Sequence, residues 1–571
     1  MGWMRQLTST ELERDTARMT ARWAANYNGC GGQPPMSLAR DVTTVGGATL
    51  ASRLLGFARD VGIAATLGAG VPSDAFFAVL QIANFFRRLL AEGALNAAFV
   101  PLWLRIKETQ GESGAYAFFR QVLGAMLLAV GALAAIGLLF APAIIDLLAP
   151  GFDGERHALA ADYFRIAAPY VALAGVVAVV ASVLNAQGRV VAVALGIAAF
   201  NAVLLAVLAW IAAFGGAPPS LIGEMLAHAI VLAGIAQLVV TGVGFVHLRR
   251  GTALSGEADT GSPQKVRQLD EPPSRRFGLS ADARQFFALA VPGLVAAGVP
   301  QLKLIAGAMV ASSSQAAVSW LYYANRLYEL PLGVVSIAIS AVLVPTIAAG
   351  VRSAKSEVIA AAQSRGFEIA LGLALPSAVA FALLAVPITG GLFERGAFGP
   401  RDTTAVAAAL AAICAGLPGH ALEKVLGAVS FAREDTRTPM VAALAGLATA
   451  VIGALVAFPH YGHVGVAAAI AISGWVGATL LGAILRRRGW LRLDRDGARR
   501  LPRIILATMA MGIALFGMSE LIASPSNAGG SLAQLAVLAL LVAFGLAVYV
   551  ASLELLGVAR VRDLLAAVRR L

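Results

Sequence analysis

From Thr43 onward, long apolar stretches alternate with short polar connections almost to the end of the chain. A helix needs ~20 apolar residues to cross the hydrocarbon core of a bilayer, and the period-two alternation of a barrel strand is missing. The pattern therefore predicts an all-α polytopic membrane protein of about fourteen transmembrane helices. They fall near 43–67, 73–104, 116–148, 158–186, 190–214, 220–247, 285–311, 315–349, 358–392, 403–431, 438–458, 464–485, 502–523 and 532–556. Several are long enough to predict tilt or projecting ends. Residues 1–35 are polar and mixed in charge, with no apolar core, so they do not read as a signal peptide. "MSLARDVTTVGG" from Met36 reads as the lead into the first span. The leader is expected to be disordered, or else translation to start at Met36.

Composition agrees: 58% of residues are hydrophobic and 13% charged, far from the balance of a soluble globular chain. The 60 glycines and abundant alanines suit closely packed membrane helices. A net charge of +12 could fit nucleic acid, but the basic residues occupy alternate loops. One set holds Arg105 and Lys107, then Arg249 to Arg276, Arg352 and Lys355, Arg486 to Arg500, and Arg560 to Arg570. The other set ("GAGVPSD", "GGAPPS", "SSSQ", "FPHYGH", "SPSNAGG") has almost none, with Arg156, Arg395 and Arg401 as exceptions. This is positive-inside patterning, and it predicts cytoplasmic termini and no nucleic-acid partner. Cys30 and Cys414 offer neither a disulfide framework nor metal spacing. No histidine pair forms a ligand motif; His460 and His463 flank a short turn. No metal is expected.

A repeat organises the spans. "DAFFAVLQIANFFRRLLAEGALNAAFVPLW" from Asp74 aligns without gaps on "VSWLYYANRLYELPLGVVSIAISAVLVPTI" from Val318, with Val100-Pro101 and Val344-Pro345 in register. "LLAPGF" and "ERGAF", then "LNAQGR" and "SFARED", match at nearly the same offset. The copies lie six spans apart, so they are parallel repeats. The expected organisation is a leader (1–35), an N-lobe of six spans (36–247) and a cytoplasmic linker (248–284). A C-lobe of six spans (285–485) and two further helices with a basic tail (486–571) follow. Two pseudo-symmetric six-helix lobes should enclose a central cavity.

Charges lie inside these spans. At ~1.5 Å of rise per residue, Arg87 and Arg88 fall near the midplane of the second. Glu92 follows Arg88 by one turn and is placed to pair with it. Arg53 and Asp60 share a face of the first span, with Arg59 roughly 120° away. The eighth span adds Arg326 and Glu329, and the seventh adds Lys303. A charge at bilayer depth costs a few kcal/mol, and these cations outnumber the acids, so they should face water or an anionic ligand. The plainer reading is ion pairing between lobes or snorkelling to headgroups. It applies best to Glu423-Lys424, expected to be a structural pair near the inner surface. Phe76, Phe77, Phe85, Phe86, Tyr322 and Tyr323 read as packing and lipid contacts. Clustered guanidinium forks suit a pyrophosphate better than a cation or a neutral molecule. The residues alone thus point to a transporter for an anionic, amphiphilic substrate.

At these positions the sequence resembles the MurJ (MviN) family, lipid II flippases of the multidrug/oligosaccharidyl-lipid/polysaccharide exporter superfamily. The stretches that carry the resemblance are "SRLLGFARD" (Ser52–Asp60), "SDAFF" (Ser73–Phe77), "FFRRLLAEGALNAAFVP" (Phe85–Pro101), "SWLYYANRL" (Ser319–Leu327) and "REDTRTP" (Arg433–Pro439). The resemblance implies alternating access and export of undecaprenyl-pyrophosphate-linked peptidoglycan precursor across the bacterial cytoplasmic membrane. It assigns Arg53, Arg59, Arg87, Arg88 and Arg326 to the substrate, with Asp60, Asp74, Glu92 and Asn325 as supporting or gating groups. Many members carry an acid where Asn325 stands, which weighs against an ion or proton role at that position. No cofactor is implied; the membrane potential or an ion is the energy source to consider. Implied partners are lipid II, membrane lipids and cell-wall synthesis proteins.

The alternatives are a polysaccharide-lipid flippase, a cation-coupled exporter, or a membrane glycosyltransferase using polyprenyl-linked sugars. The last would want carboxylates beside a large outer loop, and every outer loop here is short. The topology is testable with cysteines placed singly at Ser255 and Ser526. An impermeant thiol reagent applied from outside should label position 526 and spare 255; the opposite pattern would invert the assignment.

Overall fold

The computed structural model describes residues 35–91, 94–259, 280–339, 343–353, 356–522 and 531–558. Cys30, Glu92, most of the expected linker and the basic tail lie outside them. The chain divides into Met1–Ala51, of which residues 35–51 are helical, and a compact unit Ser52–Leu571. Every charged residue expected at the site belongs to the second unit.

The helices run in order α1 (Pro35–Leu67), α2 (Val71–Ala91), α3 (Ala94–Leu139), α4 (Ala141–Leu148), α5 (Gly154–Ala167), α6 (Pro169–Ala186), α7 (Val190–Phe214) and α8 (Pro219–Asp259). Then come α9 (Ala281–Ala311), α10 (Ala317–Ala338), α11 (Val344–Arg352), α12 (Ser356–Leu383), α13 (Ala385–Phe393), α14 (Pro400–Cys414) and α15 (Leu417–Phe431). The chain closes with α16 (Arg437–Arg487), α17 (Arg495–Ile522) and α18 (Ser531–Leu555). Several spans expected to be continuous are broken, and proline explains where. It stands in the first two positions of α4, α6, α11, α14 and α15. There its missing N–H costs nothing and its ring forbids continuing from the preceding turn. Glycine makes the other breaks: Gly111 (φ 74) divides α3, and Gly462 (φ 55) divides α16 where a turn flanked by His460 and His463 is expected.

Among the described residues nine stretches are long and apolar enough to cross a membrane. The hydropathy count of about fourteen is higher because it admits charged helices and counts the two arms of α16 separately. Every 18-residue window of α2 contains Asp74, Arg87 and Arg88, and α10 carries Arg326 and Glu329 among tyrosines. The repeat is visible as an order of elements. α4, α5 and α6 have 8, 14 and 18 residues; α13, α14 and α15 have 9, 15 and 15. α7 and α8 follow the first set, and the two arms of α16 follow the second.

The end of the unit with few basic loops is closed by hydrogen bonds to backbone groups of its loops. Ala397 donates its N–H to the Ala65 carbonyl at 2.9 Å, and Tyr323 donates its hydroxyl to the Gly68 carbonyl at 3.0 Å. In the repeat-related position, Gly151 donates its N–H to Ser312 Oγ at 2.9 Å. A Cβ added to Gly68 would sit 2.4 Å from the Ala397 oxygen, and one on Gly151 would sit 2.3 Å from the Ser313 nitrogen. Two of the basic exceptions in these loops are tied down locally. Arg156 donates to the carbonyls of Ser312 and Gly151 and to Asp153, and Arg395 donates to the Gly391 carbonyl.

At the opposite end, the "REDTRTP" segment starts α16. Asp435 accepts the backbone N–H groups of Arg437 and Thr438, both at 3.1 Å, and pairs with Arg488 at 2.6 Å. Burial pushes the Asp435 carboxyl up, but hydrogen bonds from Thr438 and Arg488 outweigh it and hold the group below the usual carboxylate range. Arg433 and Arg488 both lie over the Trp490 ring, at 5.3 and 5.0 Å.

Gly396 tests the outer contact. Its φ is +60°, and a Cβ there would lie 2.1 Å from the Ala65 oxygen. Gly396→Ala should combine a left-handed penalty of about 1–3 kcal/mol with the clash, and so lower the melting temperature in detergent. Gly70→Ala, where a Cβ meets open space, serves as the control. Equal melting of the two variants would show that the contact does not hold the end closed.

Candidate substrate-binding site

α1, α2 and α10 bring their charges to one place. Asp60 on α1 is fully buried, and three groups converge on it. Arg59 donates Nε and Nη2 to Oδ1 at 3.0 and 2.8 Å, Tyr322 donates its hydroxyl to Oδ1 at 3.2 Å, and Arg326 donates Nε to Oδ2. Arg59 also donates Nη1 to Asn201 Oδ1 on α7 at 3.0 Å. A buried charge is tolerable only when paired and hydrogen-bonded, and here one carboxylate serves two guanidiniums.

A second carboxylate, Glu329, extends the cluster. Arg88 on α2 grips it with both nitrogens, Nη1 to Oε1 at 3.0 Å and Nη2 to Oε2 at 2.9 Å. Arg326 Nη1 reaches Oε2 at 3.1 Å, and Asn325 Nδ2 donates to Oε1 at 3.2 Å. Arg88, Arg326 and Glu329 keep 22%, 20% and 25% of their side-chain surface. They line a cavity of about 60 Å³ together with Gln81, Asn84 and Gln301.

The structure rearranges the pairing expected from spacing. Asp60 pairs with Arg59 and Arg326 rather than with Arg53. The 120° offset of Arg59 on the helical wheel is overcome because its long side chain folds back onto the neighbouring carboxylate. Arg88 reaches Glu329, 241 positions away; its expected partner Glu92 lies outside the described residues. Arg53 is exposed and lies against Gly333 of α10, its Nη1 2.1 Å from where a Cβ would stand. Arg87 donates to Asn84 Oδ1 at 3.5 Å, one turn back on α2. Asp74 is buried away from this cluster at the start of α10. There it accepts the N–H of Ala316 at 2.6 Å, and the N–H and hydroxyl of Ser319 at 2.9 and 2.6 Å. Glu423, expected to pair with Lys424, faces the buried Lys303 at 4.0 Å instead.

Sequence reasoning missed five members: Gln81, Asn84, Asn201, Gln301 and Tyr322. The four amides are polar groups within apolar runs, which was the available signal, though a weak one. Tyr322, read as packing, stacks on Phe77 at 4.1 Å and spends its hydroxyl on Asp60.

An all-helical chain with many membrane-crossing stretches, two repeat-related halves and a guanidinium-lined cavity between them defines a polytopic membrane transporter rather than an enzyme. The chain belongs to the family described as lipid II flippase MurJ, whose model matches residues 63–536. It is 37% identical over 520 residues to a probable lipid II flippase MurJ of Rhizobium meliloti (strain 1021), covering 90% of this chain and 93% of that one. It is 32% identical to the lipid II flippase MurJ of Burkholderia cenocepacia, over 80% and 87% of the two chains. In fold it matches a lipid II flippase MurJ in an inward closed conformation, with a TM-score of 0.71 at 22% identity over 91% and 99% of the chains. An inward-facing multidrug resistance MATE transporter of the MOP superfamily matches at 0.61 and 15% identity, over 76% and 94%.

Asp60→Asn should be strongly destabilising, because it leaves the buried Arg59 and the half-buried Arg326 without their shared charge. Breaking a buried pair from one side costs about 3–5 kcal/mol, read as a lower melting temperature. Adding Arg326→Gln should recover part of the loss. A single variant that melts like the parent would mean Asp60 does not hold the cluster together.

Proposed function

We propose that this protein moves lipid II, the undecaprenyl-pyrophosphate-linked peptidoglycan precursor, from the inner to the outer leaflet of the bacterial cytoplasmic membrane. The observation that carries this reading is the cluster of Arg59, Arg88 and Arg326 on two facing halves, set beside a cavity at mid-helix. A pyrophosphate cannot enter hydrocarbon unpaired, whereas planar guanidinium forks match its oxygens. Arg53 and Arg87 flank the cluster as further contacts along the path, and Asp74 supports it by fixing the start of α10. The polyprenyl tail stays in lipid while the headgroup passes between the halves.

The recurrent element order supports two lobes, 36–247 and 285–485, joined by the 248–284 linker and followed by 486–571. The basic loops support cytoplasmic termini. A cavity of about 60 Å³ holds only a few waters, so entry of the headgroup requires α2 and α10 to separate. No cofactor enters this scheme; the membrane potential or an ion supplies the energy. Cell-wall synthesis proteins are the partners that such a step would serve.

Complementation of a cell depleted of its own lipid II flippase tests the reading. The parent chain should restore growth. Arg53, Arg59, Arg88 and Arg326 should each tolerate Lys with partial activity, since charge is retained without the fork. The corresponding Ala variants should fail at normal expression, with melting temperature measured alongside because Arg59→Ala, Arg326→Ala and Arg88→Ala each break an ion pair. Growth restored by all four Ala variants would make the arginines structural.

A further inference from the structure

The two carboxylates of the cluster are not equivalent. Asp60 has no exposed surface, and its partners come from α1 and α10. Glu329 lies on the cavity wall and is a quarter exposed. Its four hydrogen bonds use all four lone-pair directions of a carboxylate. Arg88 holds it by two parallel N–H···O bonds, the same arrangement in which a guanidinium holds two oxygens of a phosphate.

We propose that Glu329 is a resident stand-in for the substrate's pyrophosphate: it occupies Arg88 and Arg326 in the empty transporter, yields them when lipid II enters, and retakes them to expel it. The proposal rests on the pyrophosphate reading and adds a named residue to the release step. Charge supports the exchange. A pyrophosphate diester carries two negative charges. With Glu329 withdrawn, the three guanidiniums of Arg59, Arg88 and Arg326 balance Asp60 and that diester. With Glu329 still in place, a third acid crowds the same nitrogens at low dielectric, where like charges repel strongly. Geometry supports it as well. Arg326 divides its donors, Nε to the sealed Asp60 and Nη1 to the accessible Glu329. It therefore stays anchored when Glu329 leaves. Arg88 has a second acceptor in Gln301 Oε1, at 3.5 Å, which keeps its side chain near the cavity during the exchange.

Glu329 would thus act as a positioning residue that sets the lifetime of the loaded state. A neutral amide at this position competes poorly for the arginines, so the substrate should bind more tightly and leave more slowly. A merely structural ion pair predicts the reverse, weaker binding from a loosened cleft.

The test uses the purified full chain in detergent, with a short-chain lipid II analogue, a pyrophosphate diester, as the probe and the matching monophosphate diester as its control. Glu329→Gln should bind the pyrophosphate about tenfold more tightly than the parent, with the gain in the dissociation rate, while complementing more weakly. Glu329→Asp, which keeps the charge but cannot span both arginines, should fall between them and serves as the readout if the Gln variant does not fold. Unchanged or weaker pyrophosphate binding by a folded Gln or Asp variant would overturn the stand-in. Failure of the parent to prefer the pyrophosphate over the monophosphate, with no loss in Arg326→Ala, would instead overturn the pyrophosphate reading itself.

Discussion

A single buried carboxylate organises the centre of this protein. Asp60 has no contact with solvent, a setting in which a charge is tolerated only when paired. Its two oxygens draw Arg59 back along α1, pull Arg326 in from α10 and orient the Tyr322 hydroxyl. Removing Asp60 leaves two guanidiniums without their shared charge, and removing a donor leaves one of its oxygens short of a hydrogen bond, so the set behaves as a unit. Because the members come from both halves of the chain, the same unit fixes how closely α1 approaches α10. The cavity, the position of Glu329 and the reach of Arg88 depend on that distance.

Much of this was legible in the sequence, and the part that was not has a physical reason. Arg53, Arg59, Arg88 and Arg326 could be singled out because a charge in an apolar run is expensive and demands an explanation. Their partners could not. Spacing along a helix favours residues three, four or seven apart, which suggested Arg53 with Asp60 and Arg88 with Glu92. Tertiary packing brought in Glu329 across a separation of 241 positions, and no periodicity encodes that. Asn201 gave only a weak signal for a similar reason: one amide in α7 means little until Arg59 is seen to point at it. The fold was more readable than the site. Apolar run lengths and proline positions mark where helices start, whereas the breaks inside expected spans depend on which proline falls in a first turn.

The two ends of the molecule are built from different chemistry. One end relies on charge and aromatic surface: Asp435 fastens the start of α16, and Arg433 and Arg488 cover Trp490. The other relies on Asp74 capping the start of α10 and on loops whose backbone groups meet. The first set of contacts is made by long side chains and the second mainly by the main chain, so the first end depends on residue identity more than the second.

The glycine contacts of the second end also bear on how the sequence is able to drift. Gly68 and Gly396 meet the main chain of Ala397 and Ala65, and Gly151 meets that of Ser312 and Ser313. Main-chain atoms come with any residue, so Ala65, Ala397 and Ser313 lend little of their identity to the seal. The Tyr323 hydroxyl on Gly68 and the Ser312 hydroxyl under Gly151 lend theirs in full. Drift at this end is therefore confined to positions that supply only their backbone.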